Sequence, residues 1–373
     1  MKDKSKGALT LSQIRKFKIY YSTPTQSEQK RAYDIIRYDC YSKGMSMYAD
    51  EDFFSESLEK ELAYIKENGK SYELWVISKI LNYSHDKGYS VMWQRGALPR
   101  GSIVLYLLCF SDINPLPPHY RCNSCRLVED GFGKKYSHGF DLPDRKCPLC
   151  GRMMVKDGHD IKVDLAGHKF GEYPTVLGIN KSIMRGLQKH IDYLFGIYNP
   201  SYTTVDCIHL QNEVKCKKWC KDTKWLKYCW LLEMYGDKTI LKKVLDNYVD
   251  ERVQGLDDSH RDMVFWKSLK DLETVDFGTL VRLWGYTRIN RERHLEDLFN
   301  PNKHAFFEEC SEDERRKLRH TGLYASKAVC VDNVMERCFD VWRGEIMNGV
   351  RKENVRDKRN NKYCHLLCKY NRG

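Results

Sequence analysis

Cys122-Asn123-Ser124-Cys125 and, twenty-one residues further on, Cys147-Pro148-Leu149-Cys150-Gly151 are the stretches that decide how this chain is read. Each Cys-x2-Cys pair sets two thiolates on one tight turn, and two such knuckles supply four soft ligands for a tetrahedral ion. Gly151, directly after the second pair, suits a turn whose backbone amides face the sulfurs. Four thiolates fill the coordination sphere and leave no place for water. The spacing therefore predicts a structural Zn²⁺ at Cys122, Cys125, Cys147 and Cys150. Two further pairs, Cys216 with Cys220 and Cys364 with Cys368, have the i, i+4 spacing of one helix face and are read as buried thiols.

Before the first knuckle, Asn114 to Tyr120 reads Asn-Pro-Leu-Pro-Pro-His-Tyr, a rigid linker in which three prolines fix φ and forbid helix. Upstream, helical patterning begins at Ala32. Leu58, Leu62 and Ile65 form one apolar stripe; Leu74, Ile77 and Leu81 form a second, stopped at Gly88. Tyr89 to Trp93 is read as a strand, Arg95 to Gly101 as a loop, and Ser102 as the cap of the apolar segment behind it. Downstream, residues 180 to 260, 262 to 300 and 325 to 352 are expected to be helical.

The bulk composition sets the class. The 373 residues are enough for two or three domains with a core that needs no covalent staples. Net charge is +12, which favours a polyanion such as DNA as partner. The last stretch, Arg351 to Gly373, holds eight Lys or Arg against two acids. The apolar run from Ile103 to Phe110 is too short to span a bilayer, so no membrane is expected. Fifteen cysteines behind a polar, basic start point to a reducing, cytoplasmic setting and a metal site, not a disulfide framework.

The residues flanking the knuckles carry a resemblance. Asn114 to Tyr120 leads into the first pair, Gly139-Phe-Asp-Leu-Pro-Asp144 leads into the second, and Lys156-Asp-Gly-His-Asp-Ile161 closes the segment. Together with Lys60-Glu61-Leu62, Ile77-Ser78-Lys79, Lys87-Gly88-Tyr89 and Arg95-Gly96, this resembles the palm and zinc ribbon of PolC, the C-family replicative DNA polymerase of Gram-positive bacteria. The similarity runs from about residue 34 to 180. Thr279 to Gly285 and Ile346 to Lys352 resemble pieces of that family's fingers.

The resemblance implies two chemical sites. The family's triphosphate loop corresponds to Arg95 to Ser102, which keeps Arg95, Gly96, Gly101 and Ser102 but gains Pro99, a residue without an amide donor. Two-metal nucleotidyl transfer uses an Asp-x-Asp pair and a third Asp to hold Mg²⁺. Here one aspartate corresponds, Asp164 in Lys162-Val-Asp-Leu-Ala-Gly-His168, with Lys162 where a pair member would stand in one alignment. Asp160 and Glu172 lie outside the family's spacing and are the acids open to recruitment.

The resulting expectation is an α+β chain with a reduced nucleotidyltransferase-like palm, an inserted four-cysteine zinc ribbon and a mainly helical C-terminal half. Its parts are a basic leader (1–30), a palm-like part (31–113), the ribbon (114–161), a palm remnant (162–200), a helical fingers-like region (201–350) and a basic tail (351–373). The expected function is that of a truncated, degenerate PolC homologue that binds DNA, nucleotide or replication proteins without catalysis. Its expected DNA contacts are Arg100, Arg351 and Lys352. The alternatives are a minimal DNA polymerase or nucleotidyltransferase using Asp164 with Mg²⁺, and a zinc-ribbon module for protein interaction.

Overall fold

The computed structural model describes residues 14–18, 24–87, 92–95, 98, 100–163, 176–195, 203–204, 237–255, 260–289, 298, 304–321 and 326–347. Among these residues the chain is mostly helical, with two small antiparallel sheets and the four cysteines gathered in one cluster.

Helix α1 (Gln26–Met47) starts ahead of the apolar patterning because Thr25 and Glu28 form a reciprocal cap. The Glu28 amide donates to Thr25 Oγ1 at 3.2 Å and the Thr25 amide to Glu28 Oε2 at 2.7 Å. Its buried face is Ala32, Ile36, Cys40 and Gly44, and a Cβ at Gly44 would meet the Phe54 ring at 2.4 Å. Helix α2 (Asp52–Glu67) buries Leu58, Leu62 and Ile65, the expected stripe, and Phe54 with them. Each such side chain contributes about 2 kcal/mol of burial. Helix α3 (Ser71–Asp86) buries Leu74, Ile77 and Leu81 as expected, against α1 and against α5 (Lys181–Phe195).

The larger sheet runs β2 (Met92–Arg95), β6 (Val176–Asn180), β1 (Ile14–Lys18), β7 (Thr203–Thr204). β1 and β6 pair from Ile14 with Asn180 to Lys18 with Val176. The stretch read as a loose leader thus contributes a strand, whose partner lies far along the chain. β2 takes in Met92 and Trp93 of the expected strand and runs on to Arg95, while residues 89–91 lie outside the described residues.

The smaller sheet, β4 (Val128–Glu129), β3 (His119–Arg121), β5 (Val155–Asp157), is the frame of the ribbon. The proline-rich segment before it is no mere linker. Asn114 and Leu116 are buried, and the carbonyls of Asn114, Pro115 and Leu116 accept from the amides of His159, Ile161 and Asp160 at 2.9–3.0 Å. Proline removes donors, not acceptors, so this edge satisfies the returning strand from one side.

The C-terminal half packs α6 (Lys238–Gln254), α7 (His260–Lys270), α8 (Phe277–Ile289) and α10 (Lys327–Met347), with α9 (Glu312–Thr321) between the last two in sequence. Their core includes Leu245, Leu280, Val331 and Trp342, and also Phe140 and Ile161 from the ribbon segment and Ile113 just before it. The ribbon is thereby fastened to the helical half. Helix is not continuous over 262–300, because Asp276 caps a fresh start at α8, accepting from the Thr279 amide at 2.6 Å. Trp219, Trp225 and Trp230, expected on a helix, lie outside the described residues.

Gly139 shows how closely the ribbon segment folds back on itself. A Cβ there would lie 1.9 Å from the Asp157 carbonyl oxygen, against the backbone of β5. Gly139→Ala is expected to destabilise the protein by about 3 kcal/mol, since backbone on both sides cannot yield cheaply. Urea unfolding that places the variant within about 0.5 kcal/mol of the parent, the range of neutral surface changes, would contradict this packing.

Candidate metal centre

The two knuckles are built alike. The Cys122 amide donates to the Leu127 carbonyl at 2.8 Å, and the Cys147 amide to the Arg152 carbonyl at 2.7 Å. Inside each turn the amide four residues on bonds back to the first cysteine's carbonyl: Arg126 to Cys122 and Gly151 to Cys147, both at 2.8 Å. That position needs left-handed backbone, and φ is +60° at Arg126 and +70° at Gly151. Glycine meets this without strain. Arginine does not, and its place is fixed by packing: Arg126 Nη1 donates to the Met45 carbonyl and its own carbonyl accepts from the Ala49 amide.

This geometry brings the Sγ atoms of Cys122, Cys125, Cys147 and Cys150 all within 4.8 Å of one another. Cys122 Sγ and Cys150 Sγ are 3.5 Å apart, and the Cys125 amide donates to Cys122 Sγ at 3.4 Å. A tetrahedral ion with ~2.3 Å metal–sulfur bonds asks for sulfurs about 3.8 Å apart, so the donor set fits such an ion. Without an ion, Cys125 resists ionisation: the hydrogen bond to Cys150, then burial and Cys122, push it up to about 12. A dication inverts that preference, because it stabilises each thiolate directly.

Around the ribbon lies a buried polar seam that explains the flanking sequence. Arg121 Nε donates to Asp157 Oδ2 at 3.3 Å, and the Tyr106 hydroxyl donates to the same oxygen at 3.0 Å. Although burial acts the other way, Arg121 holds Asp157 below the ordinary carboxylate value. Asp141, just after Gly139 and Phe140, accepts from the Phe277 and Gly278 amides at 2.7 and 2.9 Å and so anchors the ribbon to the first turn of α8. Burial, with Asp276 nearby, still pushes Asp141 up to about 7. Tyr120 donates to the Pro143 carbonyl at 2.6 Å, and Lys156 pairs with Asp144.

Two histidines sit in this seam. His138 Nδ1 and His159 Nδ1 are 3.1 Å apart, both rings are buried, and both pack on Phe277. Burial lowers both, His138 well below its ordinary value and His159 to about 3, with Lys327 pressing the same way. Folded-state values below the unfolded ~6.5 mean that the unfolded chain takes up protons first. Their contribution is therefore complete above pH ~6.5 and is lost as pH falls toward the folded values. His159→Phe, which keeps the aromatic packing, is expected to flatten the decline in unfolding free energy between pH 6.5 and 4. An unchanged acid limb would show that His159 does not take up a proton on unfolding.

The other expected site residues fall as follows. Ser102 is fully buried, and its Oγ caps α4 (Ile103–Leu107), accepting from the Leu105 amide at 3.2 Å. The first amides of α4, Ile103 and Val104, donate to the carboxylate of buried Glu61 at 3.0 and 3.2 Å, and Ser102 donates to it as well. Burial pushes Glu61 up to about 7, opposed by these hydrogen bonds. Gly101 is a contact point, since a Cβ would meet Ile161 at 2.6 Å and Ala328 at 3.2 Å. Arg100 pairs with Asp332 of α10. Asp160 is exposed at φ +45°, and its carbonyl accepts from Lys327 Nζ at 3.0 Å. Arg95 ends β2, while Gly96, Asp164, Glu172, Arg351, Lys352 and the pairs at Cys216 and Cys364 lie outside the described residues.

Sequence reading missed the work of Glu61, Asp141, His138 and His159. For Glu61 the available signal is an acid at a core-facing helix position, one turn from Leu58 and beside Leu62, where it must meet donors inside.

Residues 34–170 match the family "Bacterial DNA polymerase III alpha NTPase domain". The chain is 31% identical over 171 residues to a "DNA polymerase III PolC-type" of Thermotoga petrophila, covering 45% of this chain and 12% of that protein. It is 36% identical over 144 residues to the PolC-type protein of Bacillus subtilis, covering 38% and 10%. With the Lactococcus lactis protein it shares 34% over 139 residues, 36% of this chain and 8% of that one. The chain thus spans about a tenth of the length of these relatives. Among the described residues, no helix is long and apolar enough to cross a membrane. The match takes in both knuckles, the Gly139–Asp144 and Lys156–Ile161 stretches and Glu61 with its partner Ser102, and over that segment this chain is a homologue of the PolC-type DNA polymerase III alpha subunit.

Proposed function

We propose that this protein is a zinc-stabilised, non-catalytic DNA-binding homologue of the PolC palm, with a reduced nucleotidyltransferase-like palm around the ribbon. The observation that carries the reading is the four-cysteine cluster, seated within the homologous segment beside a region that keeps one family aspartate, Asp164. Cys122, Cys125, Cys147 and Cys150 would hold Zn²⁺, whose charge keeps the thiolates ionised and whose role is to fix the two knuckles. The Ile103 and Val104 amides, which a triphosphate would need, are engaged by Glu61, and this supports DNA over nucleotide as the ligand.

A net charge of +12 supports phosphate contacts as the main source of affinity. Binding should be insensitive to sequence and fall steeply with salt. Fluorescence anisotropy with labelled single- and double-stranded DNA, titrated in salt, tests this. Removing 351–373 is expected to weaken binding and flatten the slope of log affinity against log salt. No binding to either form at low salt would refute the DNA reading.

A further inference from the structure

Among the described residues, two of the exposed large apolar side chains, Leu149 and Met153, lie on the same knuckle, 70% and 53% exposed. Lys146 and Met153 face each other across an antiparallel bridge, so their side chains leave one face of the turn. Pro148 is exposed beside Leu149. The knuckle leaves these apolar groups outside because its inward positions are already taken by Cys147, Met154 and Leu142, the ribbon's small core.

Cations surround this apolar tip. Lys146 and Arg152 flank it in sequence, and both are exposed. Arg152 donates to the Ser124 hydroxyl, which brings the first knuckle's exposed Asn123, Ser124 and Arg126 alongside. Of the acids that flank the knuckles, Asp144 pairs with Lys156 and Glu129 with Arg145, each at 2.9 Å, and Asp157 with Arg121 at 3.3 Å. A zinc-tetrathiolate centre carries about −2, and three arginine or lysine side chains outweigh it at the surface.

We propose that the tip formed by Lys146, Leu149, Arg152 and Met153 is a duplex-DNA contact, with the cations on phosphates and Leu149 as an apolar wedge at a base step. This rests on the DNA-binding reading above and adds the place of contact. The argument is one of chemistry. Apolar wedges of Leu, Met or Pro held between phosphate-binding cations are how proteins engage a duplex without reading its sequence. An acidic protein surface is the competing occupant, and the measurement separates the two.

The experiment uses the full chain with zinc content measured for every variant. Anisotropy with a labelled duplex across a salt series compares the parent with Lys146→Ala, Leu149→Ser and, as a charge-matched control, Lys60→Ala, which removes an exposed lysine of α2. Lys146→Ala is expected to reduce the salt slope by about one, the signature of one lost phosphate contact. Leu149→Ser is expected to weaken binding about tenfold, the effect of losing one buried leucine contact, with the slope unchanged. Lys60→Ala should leave the slope within error. If the parent binds and both tip variants match it at full zinc content, the tip is not a DNA contact and the proposal falls, while the DNA reading stands. If the parent itself does not bind, both fall.

Discussion

Primer extension by this protein is expected to be undetectable with either Mg²⁺ or Mn²⁺, and Asp164→Asn is expected to make no difference. Nucleotidyl transfer by two metals needs carboxylates on both ions, one ion activating the 3′-hydroxyl and one on the phosphates. This chain offers Asp164 where the family uses three aspartates, and Lys162 is exposed two residues before it. Asp160, the nearest acid open to recruitment, has its carbonyl tied to Lys327. Lys327 is itself a buried cation, pushed below its ordinary value by burial; Glu309, Asp160 and Glu308 act against that shift and Lys162 adds to it. Two ammonium groups at this spot repel the divalent ions a carboxylate pair would hold. Loss of the pair should remove several powers of ten in rate, ~10³ or more. Extension by the parent that vanishes in Asp164→Asn would overturn the non-catalytic reading.

Cys147→Ser is expected to abolish stoichiometric zinc and unfold the ribbon. Cys147 is buried in the ribbon's small core with Tyr120, Leu142 and Met154, and Leu127, Phe132 and Tyr136 pack half-buried against it. So small a cluster cannot stabilise two knuckles and a three-stranded sheet unaided. Structural zinc contributes about 10 kcal/mol or more of binding free energy to such units, so the change should be large. The consequence should also reach beyond the ribbon, because Phe140 and Ile161 belong to the core of the helical half and Asp141 holds the start of α8. Metal analysis, thiol titration and near-ultraviolet circular dichroism of parent and variant measure it. Parent protein with no zinc and four freely titrating thiols would refute the metal reading outright.

Local periodicity and spacing made much of the first half legible. The stripes Leu58, Leu62, Ile65 and Leu74, Ile77, Leu81 are buried where their 3.6-residue period put them. Ser102 caps the helix that follows it. Within each Cys-x2-Cys pair the two cysteines come together because each knuckle is a local turn whose hydrogen bonds close within six residues. In all these cases the structure is decided by neighbours in sequence.

Long-range partners decided the rest. Strand β1 has no signal of its own, since its identity comes from pairing with β6. The proline-rich stretch from Asn114 is an edge and not a spacer, because its free carbonyls meet amides that arrive from residues 159–161. Glu61, Asp141 and the His138–His159 pair become meaningful only when donors from distant segments reach them at hydrogen-bond distance. The sequence by itself determined the two paired-cysteine knuckles, the apolar helix faces and the likeness to PolC. Tertiary structure alone decided which buried polar groups are satisfied and how the ribbon is locked to the helical half. The physical reason is that a turn or a helix face is closed by contacts a few residues apart, whereas a buried charge is tolerated only where the fold delivers its partner.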